Sequence, residues 1–215
     1  MCNEAMSATR QYGSPNAIIW RYRATAIRLA REAAEAQDAA VVRGNTATVI
    51  LLAVATFEAF LNVWFRVATE EAQYREHRDS ILGDLKRRRS VRYKAREWPA
   101  RLFGRPLDFS RGAARDFSNL LERRNELMHF TSSHTTVEIP GVTMSGMVDL
   151  TLYESLTPKD AFDAIDTIDE LVVEFFATQG YSPEQCVRGR HLWFGRVALP
   201  EEIAAAQTKA EALSE

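Results

Sequence analysis

The sequence predicts an all-α protein: an up-and-down bundle of about five long helices with a small β-hairpin insertion and a C-terminal helical tail. Apolar residues recur at three- and four-residue spacing in successive segments, which is the period of a helix with one buried face. Only a short break separates the first two segments, as between antiparallel neighbours in a bundle. Because 215 residues suffice for one core, we expect a helical domain over 1–180 and a tail or docking arm over 181–215.

The first two helices are predicted to form an antiparallel pair. The first covers 18–42, and a break at Gly44 and Asn45 is expected to end it. Its buried face is marked by Ile19, Tyr22, Ile27, Ala30 and Ala34. The second helix is expected to run to about Gln73, and it is long and apolar. Because Glu58 stands in its middle, we expect a buried central helix and no membrane span.

A strongly basic segment follows over 81–105. Its helix is expected to end before Pro99, because the residue before a proline avoids helical angles. The cations are Lys86, Arg87, Arg88, Arg89, Arg92, Lys94, Arg96, Arg101 and Arg105, with Tyr93 and Trp98 among them. Arginines interleaved with aromatic rings can follow a phosphate backbone and stack on unpaired bases. This pattern fits an RNA path over Arg87, Arg88, Arg89 and Arg92, and it fits a solvated helix face equally well.

A fourth helix is predicted over 111–130, with Ser110 as its cap. Its buried stripe consists of Phe117, Leu120, Leu121, Leu127 and Met128. Short segments rich in valine and threonine then predict a β-hairpin near 135–154.

Thr157, Pro158 and Asp160 predict the start of a fifth helix, which Gly180 ends. Its inward face is expected to hold Phe162, Ile165, Ile168, Val172 and Phe175. The outward face is expected to be a solvated acidic surface formed by Asp163, Asp166, Glu170 and Glu174. Beyond residue 180, a final alanine-rich helix is expected to begin at Pro200.

Composition argues against several classes of protein. A net charge of −2 is unlike that of a uniformly basic nucleic-acid binder. The first ten residues lack the apolar stretch of a signal peptide, so we expect a cytoplasmic protein. Cys2 and Cys186 are far apart, and His77 and His191 lack suitable ligands at metal-site spacing. We therefore expect no disulfide framework, no metal and no cofactor.

The end of the fourth helix, LERRNELMHF, gathers groups that suit phosphate chemistry. Asn125 and His129 are four residues apart and share a helix face, and Arg124 is long enough to lean across to them. Guanidinium grips phosphate oxygens, and imidazole gives or takes a proton near neutral pH. These groups suit RNA cleavage without a metal, in which one group deprotonates the 2′-hydroxyl and another protonates the leaving 5′-oxygen. Because one histidine cannot readily do both, a dimer would supply the second.

The string RNELMH on a late helix of an all-α bundle resembles the HEPN domains (higher eukaryotes and prokaryotes nucleotide-binding). The order of helices from about Ala17 to Gly180 and the segment FEAFLN are also similar. This resemblance implies a homodimer with two motifs facing each other in a cleft, metal-independent RNA cleavage, and roles in toxin–antitoxin or antiviral systems, where an antitoxin can be a partner. It makes Arg124 the phosphate-binding residue, Asn125 a polar orienting residue, and His129 the acid or base.

Several alternatives remain open from the sequence. Arg123 also satisfies a looser arginine-to-histidine spacing and is a candidate RNA contact. Arg124 can instead form a buried pair with Glu58, which would either orient it or tie it into the core. His129 can serve the helix dipole alone. The chain can therefore also be a catalytically inactive HEPN scaffold that binds a nucleotide or protein, or a purely structural bundle.

Overall fold

The computed structural model describes residues 14–129, 135–147 and 149–195. Within these ranges the chain is an all-α helical bundle, which confirms the predicted class. The helices are α1 (Ala17–Glu35), α2 (Ala39–Ala68), α3 (Arg78–Lys86), α4 (Val91–Phe103), α5 (Gly112–His129), α6 (Thr151–Glu154), α7 (Pro158–Thr178) and α8 (Pro183–Phe194), with a 3-10 helix at Ala72–His77. The strands β1 (Thr135–Ile139) and β2 (Val142–Met147) pair antiparallel.

The centre of the bundle is α2, against which α1, α5 and α7 all pack. Phe57, Phe60, Leu61 and Phe65 on this helix are fully buried. Phe60 meets aromatic rings of α7 and α8 edge to face at centroid distances from 5.2 to 5.9 Å. Each such side chain contributes roughly 1.5 to 3 kcal/mol by leaving water. Although α2 is long and apolar enough to span a membrane, 56% of its most apolar stretch is buried in the bundle.

The break between the first two helices lies earlier than predicted. Helix α1 ends at Glu35, and Asp38 caps α2 by accepting a hydrogen bond from the N–H of Ala40 at 2.8 Å. The prediction of a break at Gly44 and Asn45, with Asn45 or Thr46 as the cap, is therefore wrong, because these residues lie inside α2 and Asp38 supplies the acceptor for its first free amides. Helix α2 also ends at Ala68 rather than near residue 73.

The basic segment forms two helices, and Pro99 lies inside the second. The prediction of a helix end before Pro99 is wrong, because α4 continues to Phe103 and ends at Gly104 in a left-handed conformation. A proline inside a helix loses one backbone hydrogen bond. Trp98, Pro99 and Leu102 are all buried, so the packing of this turn against the core offsets that loss.

The start of α5 is capped from another helix. Glu174 of α7 accepts hydrogen bonds from the N–H groups of Ala113 and Ala114 at 2.7 and 3.3 Å. The predicted cap, Ser110, donates to Asp108 instead. Gly112 has a φ of 60°, and a Cβ there would lie 2.7 Å from the Glu174 carboxylate, so glycine makes this approach possible. Glu174 is therefore not part of a solvated acidic face.

The remaining predicted burial is mostly confirmed. Three side chains are exposed instead: Ala34, Phe162, which is 39% exposed, and Met128, which is 51% exposed. Ala34 and Phe162 each follow a fully buried residue, Ala33 or Ala161, so the buried face lies one position earlier than predicted there. Met128 lies in the last turn of α5. Residues 151–154, placed in the hairpin by the sequence pattern, form α6.

The first part of the predicted tail packs on the bundle. Helix α8 buries Cys186 and Phe194 in the main core. Asn16, before α1, donates to the carbonyl of Leu192 at 2.7 Å. The helix predicted from Pro200 lies outside the described residues, so the docking role of the tail stays a prediction.

Replacing Glu174 with alanine should lower the free energy of unfolding by about 1 kcal/mol, because two amides at the start of α5 lose their acceptor. For a chain of this size the expected fall in Tm is about 2 to 4 °C. Glu170→Ala is the matched control, since Glu170 is exposed on the same helix. Equal melting temperatures for the two variants would show that the cap contributes nothing.

Candidate functional site

The arginine of the motif lies on the buried face of α5. With 100° per residue, position 124 is only about 20° from Phe117 and 40° from Leu120, both of which are buried. The same geometry turns it about 100° from Asn125 and about 140° from position 129. Arg124 therefore lies on the face of α5 that packs against the bundle rather than on the face that Asn125 occupies.

Arg124 is half-buried, and its Nε is buried with no hydrogen-bond partner among the described residues. A buried donor without an acceptor costs about 1 to 3 kcal/mol, and native proteins keep few of them. A free guanidinium donor can bind an anion, but this Nε has almost no solvent-accessible surface, so an anion reaches it only if the side chain or its neighbours move.

Arg123, the competing arginine, is already engaged. Its guanidinium donates to Asp160 on α7 at 2.9 Å. Asp160 also accepts from the N–H and hydroxyl of Thr157 at 2.8 and 2.7 Å. Burial acts to raise the pKa of Asp160, but the hydrogen bonds from Thr157 and Arg123 outweigh it and lower the pKa below its ordinary value. Arg123 thus fastens α5 to α7, which favours Arg124 as the motif arginine.

The structure describes the other two motif residues, Asn125 and His129, in less detail than the arginines. Asn125 is exposed. His129 closes α5, but its side chain lies outside the described residues. Ser118 lies two turns before Asn125 on the same face of α5, and its hydroxyl accepts a hydrogen bond from Arg92. Arg92 of the predicted RNA path therefore touches the face of α5 that leads to Asn125.

Glu58 does not pair with Arg124. Its carboxylate accepts a hydrogen bond at 2.6 Å from Lys94, which is 3% exposed. Helix α4 packs beside this part of α2. Its buried Lys94 therefore forms the ion pair with Glu58 that the sequence had suggested for Arg124. The predicted support of Arg124 by Glu58 is therefore wrong, and Lys94 lies in the interior rather than on a solvated face or an exposed RNA path.

The basic segment is organised around a buried acid that was not among the residues predicted from the sequence. Asp84 on α3 is 2% exposed and accepts hydrogen bonds from Trp98 at 3.1 Å and Arg101 at 2.8 Å. Burial acts to raise the pKa of Asp84, but these hydrogen bonds and the charges of Arg101 and Arg89 outweigh it and lower the pKa. The sequence feature that could have indicated this buried cluster is a single acid, Asp84, close in the chain to several arginines.

This arrangement changes what the aromatic residues can do. Trp98 is fully buried, so it cannot stack on a base. Tyr93 is half-buried, with the guanidinium carbons of Arg89 and Arg101 at 5.0 and 5.7 Å from its ring centre. The stacking role predicted for these two rings is therefore not supported by the structure.

No cluster of three histidine, cysteine, aspartate or glutamate side chains that could hold a metal occurs in the part of the chain that the structure describes. Comparison of the sequence and fold with protein-family models, curated proteins and solved structures gave no match. The HEPN resemblance therefore depends on the motif and the helix order.

Replacing Asp84 with asparagine should lower the free energy of unfolding at pH 7 by about 2 to 4 kcal/mol, because Arg101 and Trp98 lose a buried charged acceptor. The folded-state pKa lies below the ordinary carboxyl value of about 3.9, so the carboxylate stabilises the fold above that value. This contribution is lost as pH falls through the folded-state pKa.

Urea unfolding at several pH values between about 7 and 3 tests this linkage. The difference between wild type and Asp84→Asn should shrink toward the acid end. Asp79→Asn, an exposed acid on the same helix, is the matched control and should stay close to wild type at every pH. A difference that is constant with pH would contradict the role assigned to the charge.

Proposed function

We propose that this protein is a metal-independent endoribonuclease of the HEPN type, which cleaves RNA at a cleft between two copies of the chain in the cytoplasm. Arg124 holds the scissile phosphate, Asn125 orients it, and His129 transfers protons. The motif spacing and the helical bundle support this proposal. The single observation that carries it is the contrast between two adjacent arginines: Arg123 is tied to Asp160, while Arg124 keeps a buried, unpartnered Nε among the described residues.

The proposed reaction is an attack of the RNA 2′-oxygen on the adjacent phosphorus. A base removes the 2′-hydroxyl proton, the new P–O2′ bond forms, and the P–O5′ bond breaks as an acid protonates the leaving oxygen. The products are a 2′,3′-cyclic phosphate and a 5′-hydroxyl. Arg124 stabilises the negative charge on the phosphate, and no oxidant, metal or cofactor enters the balance.

A second copy of the chain has a defined role in this scheme. One histidine supplies one proton-transfer group, while the reaction needs two. Positions 124 and 129 also differ by about 140° around α5, so the arginine of one subunit would act more readily with a histidine that approaches from its partner. On this proposal the β1–β2 ribbon is an insertion after the motif.

The same angle favours a second candidate function. If Arg124 remains turned away from His129, the chain is a catalytically inactive HEPN scaffold that binds a nucleotide or protein partner. Such a scaffold can still use the unpartnered guanidinium to hold a phosphate. It would dimerise or bind without cleaving RNA.

Wild-type protein incubated with single-stranded RNA in excess chelator should produce 2′,3′-cyclic phosphate ends. Arg124→Ala and His129→Ala should each lower the cleavage rate by about 10²- to 10⁴-fold, because each removes a group that acts on the transition state. The measurement is single-turnover cleavage followed by gel electrophoresis and end-group analysis.

Arg123→Ala is the matched control, since it removes an adjacent arginine of the same helix. It should lower Tm by loss of the Asp160 pair but keep cleavage within about tenfold of wild type below its melting point. Equal cleavage by wild type and both motif variants would remove the catalytic proposal. An inactive Arg123→Ala beside an Arg124→Ala that cleaves as wild type does would reassign the motif arginine.

A further inference from the structure

The turn that joins α3 to α4 holds an arginine in a conformation that favours glycine. Arg88 has a φ of 53°, in the left-handed region. The N–H groups of Arg88 and Arg89 donate to the carbonyls of Leu85 and Asp84 at 3.0 and 3.2 Å, which is the Schellman arrangement at a helix end. The residue at position 88 of such a turn is usually glycine, because a side chain strains the left-handed backbone. Backbone stability alone does not account for an arginine here.

The charges beside Arg88 are partly neutralised, but its own charge is not. Guanidinium nitrogens of Arg87 and Arg89 lie 3.8 and 3.6 Å from the Asp84 carboxylate. Arg89 also lies against the Tyr93 ring. Arg88 is exposed and forms no ion pair within the described ranges. Arg88 is therefore free to bind an anion from outside.

The residues around the turn favour binding to the phosphates of a nucleic acid rather than to its bases. Lys86, Arg87 and Arg89 are all exposed around Arg88, which gives four consecutive cations. Trp98 is fully buried and Tyr93 is covered by two guanidinium groups, so neither offers a free ring to a base. Phosphates are the complementary groups, because guanidinium binds two of their oxygens at once.

We propose that the basic turn, Lys86 to Arg89, binds the backbone phosphates of RNA through Arg88 and without regard to base sequence. The choice of RNA rests on the proposed ribonuclease function, but binding requires no cleavage. On this proposal, Arg88 lowers the stability of the fold through its left-handed backbone and gains a phosphate contact. A residue that acts in this way has a distinctive signature, since its replacement by glycine stabilises the fold and weakens binding together.

Binding is measured by fluorescence anisotropy with labelled 2′-O-methyl RNA of about 12 nucleotides, which has no 2′-hydroxyl to attack phosphorus. Arg88→Gly should raise Tm by about 2 to 4 °C, since glycine is unstrained there. It should weaken binding roughly five- to tenfold at about 50 mM salt and reduce the slope of log affinity against log salt by about 0.7, the share of one phosphate.

Two further variants separate charge from backbone effects. Arg88→Lys keeps the charge but loses the planar fork, so it should bind between wild type and Arg88→Gly and keep the wild-type salt slope. Arg31→Ala removes an exposed arginine from α1, far along the chain from the turn, and should leave binding unchanged. Oligoadenylate and oligouridylate of equal length should bind wild type equally, because phosphates carry no sequence information.

The proposal is overturned if wild type does not bind, if Arg88→Gly binds as wild type does, or if Arg31→Ala weakens binding as much as Arg88→Gly. A strong preference for one base would also overturn it, since stacking or base contacts would then dominate. Binding that depends on Arg88 without any cleavage of ordinary RNA would support the phosphate site and remove the nuclease proposal. Cleavage of RNA together with binding that does not depend on Arg88 would support the nuclease proposal and remove the phosphate site.

Discussion

The burial of α2 is the constraint on which the rest of the structure depends. Its apolar and aromatic side chains leave water only if α1, α5 and α7 cover them. Charged groups on or beside this core must then meet partners, because an isolated buried charge is far more costly than a paired one. Lys94 meets Glu58, and Asp84 meets Arg101 and Trp98. Arg124 stands out because one of its donors lacks such a partner among the described residues.

The ion pairs of the bundle also fix how its helices are joined. Asp169 of α7 accepts from Arg23 of α1 at 2.8 Å and from Arg190 of α8 at 2.9 Å. Asp160, at the start of α7, accepts from Arg123 of α5. Helix α7 is thus fastened to three neighbours by two carboxylates. Because Arg123 forms part of this framework, the end of α5 is held in place while the next residue keeps a donor unused.

Local patterns located the most apolar helices, whereas the cap of α5 and the partners of the site residues depend on long-range contacts. The spacing of apolar residues located α2, α5 and α7, because a buried helix face repeats within a few turns. The cap of α5 was not predictable from its own residues, since Glu174 lies about 60 residues away in the chain. The partner of Glu58 is Lys94, and this could not be predicted without knowing that α4 lies beside α2. For the site, the motif was visible in sequence, but the engagement of Arg123 by Asp160 was not.

An acidic chain can still present a basic surface if its charges are segregated in space. Asp163, Asp166 and Glu170 are exposed on α7, whereas four consecutive cations surround the turn between α3 and α4. Beyond a Debye length of about 8 Å at physiological salt, an approaching polyanion senses mainly the nearest charges. The net charge of −2 therefore does not decide whether RNA binds. The local field of the turn is positive because its four exposed cations outnumber the one buried carboxylate, Asp84, that partly neutralises Arg87 and Arg89.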